Sequence, residues 1–164
     1  MRPLPLHSRR MAPPLVLADP SGSTVVRPPW VFHRSVLLVM VHGPACAACA
    51  HLVTELLERA SAYRTWEVEP IVLRSGPDPF PHPFLRQLQD PTGATRRAYG
   101  GGDSEVVLAC LDARGIYWEG WRLEHPDPVD WREVSETVRW VAIQEPECAT
   151  CAAEPAWEQG PGAG

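Results

Sequence analysis

Ser35–Leu57, SVLLVMVHGPACAACAHLVTELL, is the stretch that decides how the rest of the chain reads. Ser35–Val41 is a short apolar run rich in branched residues, too short for an ordinary helix and suited to a buried strand. His42-Gly43-Pro44 breaks it. Cys46, Cys49, Val53, Leu56 and Ala60 then recur at spacings of three and four, the mark of a helix with one apolar face. The pair Cys46-Ala47-Ala48-Cys49 therefore falls in the first turn of that helix. Backbone N–H groups there lack intrahelical partners and the macrodipole presents its positive end, conditions that suit a reactive thiolate at Cys46. Residues three apart on a helix share a face, so Cys49 is placed to attack a mixed disulfide held on Cys46. His42 and Pro44, in the adjoining turn, are candidates to stabilise that thiolate.

Working outward, the 164 residues amount to one domain's worth of chain, with ordinary apolar (45%) and charged (21%) fractions. A net charge of −5 offers no basic footprint for nucleic acid or an anionic membrane surface. Every one of the 15 basic residues is arginine, since the sequence contains no lysine. Schiff-base chemistry, a pyridoxal anchor and a Walker-type phosphate loop are excluded on that ground. No run approaches the ~18 apolar residues that span a bilayer. The apolar part of the N-terminus, Met11–Ala18, is interrupted by Pro13 and Pro14 and followed by Asp19-Pro20, so no secretory leader is expected. A reducing, cytoplasmic setting follows, in which paired cysteines are catalytic or metal-binding before they are structural.

Residues 1–13 are proline-rich and aperiodic and read as a disordered arm. Leu15–Leu17 and Thr24–Val26 flank a turn signal, Asp19-Pro20-Ser21-Gly22, as a hairpin-like pair. After the central strand and its helix, which should fade near Ala60–Tyr63, Val68–Arg74 is a second buried strand despite Pro70. Ser75–Pro83, with four prolines, is a loop; Phe84–Gln89 reads as a short helical turn and Ala94–Tyr99 as a helix stopped by three glycines. Glu105–Leu111 and Ile116–Arg122 form a strand hairpin about Asp112-Ala113-Arg114-Gly115. A closing helix, about Val129–Gln144, presents Trp131, Val134, Val138 and Val141 or Ala142 on one face. Trp118, Trp121 and Trp140 also fall on elements expected to pack a core. The structured domain is thus 14–145, with a tail, 146–164, holding a second pair, Cys148 and Cys151. Strand–helix–strand implies a parallel pair with a right-handed crossover, and the hairpin extends it antiparallel.

With this element order and CAAC at the first helix, the chain resembles the thioredoxin-like superfamily, most nearly its thiol-specific antioxidant, peroxiredoxin-like branch. LADPSGSTVVRPPW, VLLVMVHGPACAACAHLVTELLE, DPTGATRRAYG and VVLACLDARGIYW carry the resemblance, which covers roughly Leu15 to Ala142. It implies an α/β fold, a mixed sheet with helices on both faces, and thiol redox chemistry. The chain departs from the branch at telling positions. The Thr or Ser that peroxidases place three residues before the reactive cysteine is Gly43, and no arginine opens the Glu105–Leu111 strand. The buried acid of thioredoxins is missing from Ser35–Val41, and the position of their cis-proline falls near Glu105 or Val106.

The leading expectation is a thiol–disulfide oxidoreductase: Cys46 attacks, Cys49 resolves, and no bound cofactor or metal is needed. Its partners would be protein or small-molecule disulfides and a thiol reductant, with neither nucleic acid nor membrane. A peroxidase attacking hydroperoxides through Cys46 is one alternative. A non-enzymatic redox-fold or zinc-binding interaction module is another, since two Cys-x-x-Cys pairs suggest a four-cysteine site. Within one chain the last helix carries the backbone about 24 Å from the pole where Cys46 lies. Residues 144–148 recover at most about 14 Å, so the tail pair is not expected to share a site with Cys46 of the same chain, while a zinc site built across two chains stays open. Cys110, mid-strand among Leu108, Ala109 and Leu111, reads as a small buried hydrophobe, and His51 as a surface residue.

Overall fold

The structure is a computed structural model that describes residues 1–19, 21–124 and 127–143. Its centre is the apolar run of the opening stretch, strand β5 (Ser35–Val41), flanked by β6 (Val68–Arg74) and β8 (Glu105–Leu111). The main sheet has seven strands: six neighbours in the order β1-β9-β8-β5-β6-β7, with β1 Arg2–Pro3, β7 Arg86–Gln89 and β9 Ile116–Glu124, and β2 (Arg10–Met11), which also pairs with β9. β5, β6 and β7 pair parallel, whereas β8 pairs antiparallel with β5 and β9 antiparallel with β8. Helix α1 (Ala47–Thr65) is the crossover between β5 and β6, and α3 (Trp131–Ile143) closes the described chain. The fold is α/β with a mixed sheet, as the element order requires.

Alternation along β5 divides the core. Leu37, Val39 and Val41 face α1 and α3, which contribute Leu52, Val53, Leu56, Val134, Val138 and Val141. Val36, Leu38 and Met40 face the other way, toward the small hairpin of β3 (Leu15–Ala18) and β4 (Thr24–Arg27), Phe32 and Tyr99. That hairpin forms its own two-stranded sheet rather than extending the main one. Thr95 of α2 (Ala94–Ala98) joins it to the body by bonding both the N–H and the C=O of Val16. On the inner face of α3, Trp131, Val134 and Val138 are buried as expected, and of the two candidates for the last position Val141 is the buried one. Trp131 also donates to Glu55 across to α1, and the Tyr63 and Ser135 hydroxyls meet at 2.9 Å. These links hold the start of α3 against the middle and the last turn of α1.

Three expectations need correction. Residues 1–13 are not a loose arm among the described residues. Arg2–Pro3 and Arg10–Met11 (β2) both pair antiparallel with β9, and Leu4 and Ala12 are buried. Without this segment β9 would present an open edge, and prolines are tolerated on such an outer strand. Gly120 makes the approach possible, because a Cβ there would sit 2.7 Å from Leu4 Cδ1 and 2.5 Å from the Leu108 carbonyl oxygen. Within Phe84–Gln89, Arg86–Gln89 is strand β7 rather than a helical turn: four residues carry too little periodicity to decide, and the edge of β6 supplies their hydrogen bonds. Pro70 lies one residue before that pairing begins. The third correction concerns tryptophan: Trp121 and Trp131 are buried, but Trp140 is exposed.

α1 runs through Thr65, slightly beyond the point where its pattern fades. No helix among the described residues is long and apolar enough to cross a membrane. The pair Cys148 and Cys151 lies outside the described residues.

Candidate active site

The site forms where β5 ends and α1 begins. Val41 is the last strand residue, and the chain then has to reverse into the helix within five residues. Pro44 serves this turn through its fixed φ, at the second position of a four-residue turn closed by the Cys46 N–H on the Gly43 carbonyl at 3.2 Å. Having no N–H of its own, Pro44 has nothing to donate to a sulfur. Gly43 takes φ +156°, and its Cα passes the backbone of Gly76, which follows β6. The Gly76 N–H in turn bonds the His42 carbonyl at 2.7 Å, tying the turn to the neighbouring strand end.

Cys46 is the N-cap of α1, in extended backbone, and its carbonyl accepts the first helical bond from Ala50 at 2.9 Å. None of the usual capping side chains stands here, so the end of the helix is left to the thiol and its surroundings. Cys46 is half-buried while Cys49, one turn on, is fully buried in the core cluster between α1 and the sheet. The two cysteines are therefore unequal: one reaches solvent and the other faces the interior.

His42 stands against the buried member. Its backbone N–H lies 3.4 Å from Cys49 Sγ and its Nδ1 lies 3.6 Å from the same sulfur. Its Nε2 lies 2.6 Å from the Asp103 carbonyl oxygen. A carbonyl only accepts, so Nε2 carries the proton and Nδ1 presents its lone pair toward Cys49. Burial pushes the Cys49 thiol up to about 11, helped by the adjacent Cys46, while the backbone N–H groups of His42 and Gly43 pull it down. The ligating atoms of His42, Cys46 and Cys49 all lie within 4.8 Å of one another.

Of the residues singled out from the sequence, the structure thus brings His42, Cys46 and Cys49 together and leaves Pro44 a purely geometric part. His51 is exposed and pairs loosely with Glu55 at 3.8 Å. Cys110 is buried in mid-strand, where burial drives its thiol far up. Asp103 was not legible as a site residue, because it acts through a carbonyl that every residue type carries. At the start of β8 stands Glu105, nearly buried and bonded by Arg2 at 2.6 Å. Beside the first turn of α1 opens a groove of about 270 Å³, lined by Leu52, Val106 and Leu123 together with Glu55, Glu124 and Asp127.

Solved structures place this arrangement in context. The mitochondrial 2-Cys peroxiredoxin of Plasmodium falciparum superposes with a TM-score of 0.61 at 11% identity, over 82% of this chain and 94% of that one. A thiol peroxidase from Chromobacterium violaceum gives 0.64 at 14% identity, over 82% and 87%. A putative thiol:disulfide interchange protein, DsbE, from Chlorobium tepidum gives 0.61 at 15% identity, over 84% and 99%. The fold is thioredoxin-like. No protein-family model matches the chain, and no curated protein matches it in sequence. The thioredoxin-like frame is thus carried by strand order and packing at low identity, with peroxiredoxin and disulfide-interchange proteins among its structural neighbours.

Proposed function

We propose that the chain is a thiol–disulfide oxidoreductase working through Cys46 and Cys49. The observation that carries the reading is the inequality of the two thiols: Cys46 half-buried at a helix start, Cys49 fully buried one turn behind it with an imidazole lone pair beside its sulfur. In the first step the Cys46 thiolate attacks one sulfur of a substrate disulfide. A Cys46–substrate bond forms, the substrate S–S bond breaks, and the departing thiolate takes a proton from solvent. In the second step the Cys49 thiol passes its proton to His42 Nδ1 and attacks Cys46 Sγ. The Cys46–Cys49 bond forms as the second substrate thiolate leaves and is protonated. Two electrons have moved to the substrate, and a thiol reductant of the surrounding reducing, cytoplasmic milieu restores the pair.

The groove beside α1 supports a substrate with an apolar residue next to its disulfide and a basic one in reach of Glu55, Glu124 and Asp127. Protein or small-molecule disulfides of that character are the proposed partners. Peroxide reduction through Cys46 is the second reading, favoured by the peroxiredoxins among the structural neighbours. Against it stand Gly43, which has no hydroxyl to offer, and a β8 start occupied by an acid already held by Arg2. The deciding experiment follows turnover of a model disulfide and of hydroperoxide by the reduced chain. Cys46→Ser should bring disulfide turnover to background, and Cys49→Ser should accumulate a mixed disulfide on Cys46 visible by mass spectrometry. Retention of turnover by Cys46→Ser would overturn the proposal. Fast peroxide consumption with sulfenic acid at Cys46 would replace it with the second reading.

A further inference from the structure

The same three side chains that serve exchange also meet the geometry of a metal centre. We infer that the reduced chain binds one zinc ion through Cys46 Sγ, Cys49 Sγ and His42 Nδ1, with a fourth position open toward solvent on the Cys46 side. The inference rests on the geometry of the cluster and stands whether or not the pair exchanges disulfides.

The spacings support it. With zinc–sulfur bonds of about 2.3 Å and zinc–nitrogen bonds of about 2.05 Å at tetrahedral angles, a sulfur and a nitrogen ligand stand about 3.6 Å apart and two sulfurs about 3.8 Å. His42 Nδ1 and Cys49 Sγ already lie 3.6 Å apart. All three ligand atoms fall within 4.8 Å, so closing the set asks for about 1 Å of movement at most. Cys46 is the residue free to supply it, being half-buried at the helix N-cap while Cys49 is packed in the core.

A second, independent observation is the hydrogen bond on the far side of the ring. A metal-bound histidine characteristically donates its other N–H to a carbonyl or carboxylate, which fixes the tautomer and aims the lone pair. His42 makes this contact to the Asp103 carbonyl at 2.6 Å. Exchange uses the same tautomer, with Nδ1 turned to Cys49, so the bond prepares the ring for a metal as well as for a proton. Two thiolates and one imidazole are a borderline-soft set, suited to zinc rather than to calcium or magnesium, which prefer oxygen. Three protein ligands with one open position is the pattern of sites that admit a further molecule, not of closed structural sites.

The protons balance simply. Zinc displaces the S–H proton of each cysteine, two protons leave to solvent, and the imidazole keeps its Nε2–H on Asp103. Oxidation to the Cys46–Cys49 disulfide, with two electrons passing to a disulfide oxidant, removes both sulfur ligands and expels the metal. Zinc occupancy and exchange are mutually exclusive states of one site.

The test uses the full-length chain, stripped of metal, reduced and titrated with zinc alone, with metal content and X-ray absorption read after removal of excess. One zinc per chain, with two sulfurs and at least one nitrogen in its shell, is the expected result. Cys46→Ser and Cys49→Ser should each lose stoichiometric zinc, and His42→Asn should weaken binding at least about tenfold. The oxidised chain should bind none, and the double variant Cys148→Ser/Cys151→Ser should bind as the parent does. No zinc on the reduced parent chain would overturn the inference, as would loss of zinc with the tail pair or a shell of four sulfurs. Because the absorption spectrum is taken on the parent chain, misfolding of a variant does not blunt the test.

Discussion

Cys49 and Cys110 lie on the same face of the sheet, in the same apolar cluster, both almost wholly shielded from water. They nevertheless belong to different chemistry. Cys110 sits in mid-strand between partners Leu37 and Glu119, where burial drives its thiol far up and the charge of Glu119 adds to the rise. Cys49 sits where a strand has just ended; burial pushes its thiol up to about 11, and the N–H groups of His42 and Gly43 pull against that rise. Burial alone makes a thiol inert. Burial next to backbone donors that reach the sulfur, an imidazole and a second, accessible cysteine leaves it protonated but usable. The lesson is that a helix start positions reactive sulfur and the middle of a strand does not.

The sharpest way to break this contrast is reactivity. Native reduced chain carrying Cys148→Ser/Cys151→Ser, treated with a small alkylating agent, should label Cys46 at least about a hundredfold faster than Cys110, as peptide mapping would show. Equal rates would mean that β8 opens as readily as the helix start.

A smaller effect lies in the pH dependence of stability. Cys49 keeps its proton in the fold above the ordinary thiol value of 9.0, up to about 11. The native chain therefore holds a proton that the unfolded chain releases, and stability is whole below about pH 9 and drains away as pH rises through about 11. The Cys110 contribution begins to drain from the same ordinary thiol value of 9.0 and goes on draining to higher pH. Urea midpoints of reduced parent and Cys49→Ala should diverge below pH 9 and converge between 9 and 11; parallel curves would remove the burial assigned to Cys49.

The smallest expected effect is that of Cys110→Ala, a loss of about 1 kcal/mol for one buried sulfur, with disulfide turnover unchanged. A large fall in turnover would mean that the two thiols are coupled after all.

Much of this was legible before any coordinates. The strand, the helix and the inner face of α3 followed from spacing, because periodic apolar residues leave little freedom about which side is buried. Pattern was silent where an element owes its form to a partner. β7 is a strand because β6 offers an edge, and the N-terminal segment is ordered because β9 does and Gly120 clears the way for Leu4. In the site, His42 was legible as a neighbour of the cysteines, but its direction was not. From the sequence it was paired with Cys46, yet its Nδ1 lies against Cys49.

The sequence by itself determined that two cysteines share one face at a helix start, since three residues along a helix return to the same side. It also determined that lysine chemistry is absent. Only the tertiary structure decided which cysteine is buried, which one His42 addresses, and that a carbonyl 61 positions away aims the ring. Depth below the surface and the path of a distant loop depend on how helix, sheet and loop pack together, and neither is written in local spacing.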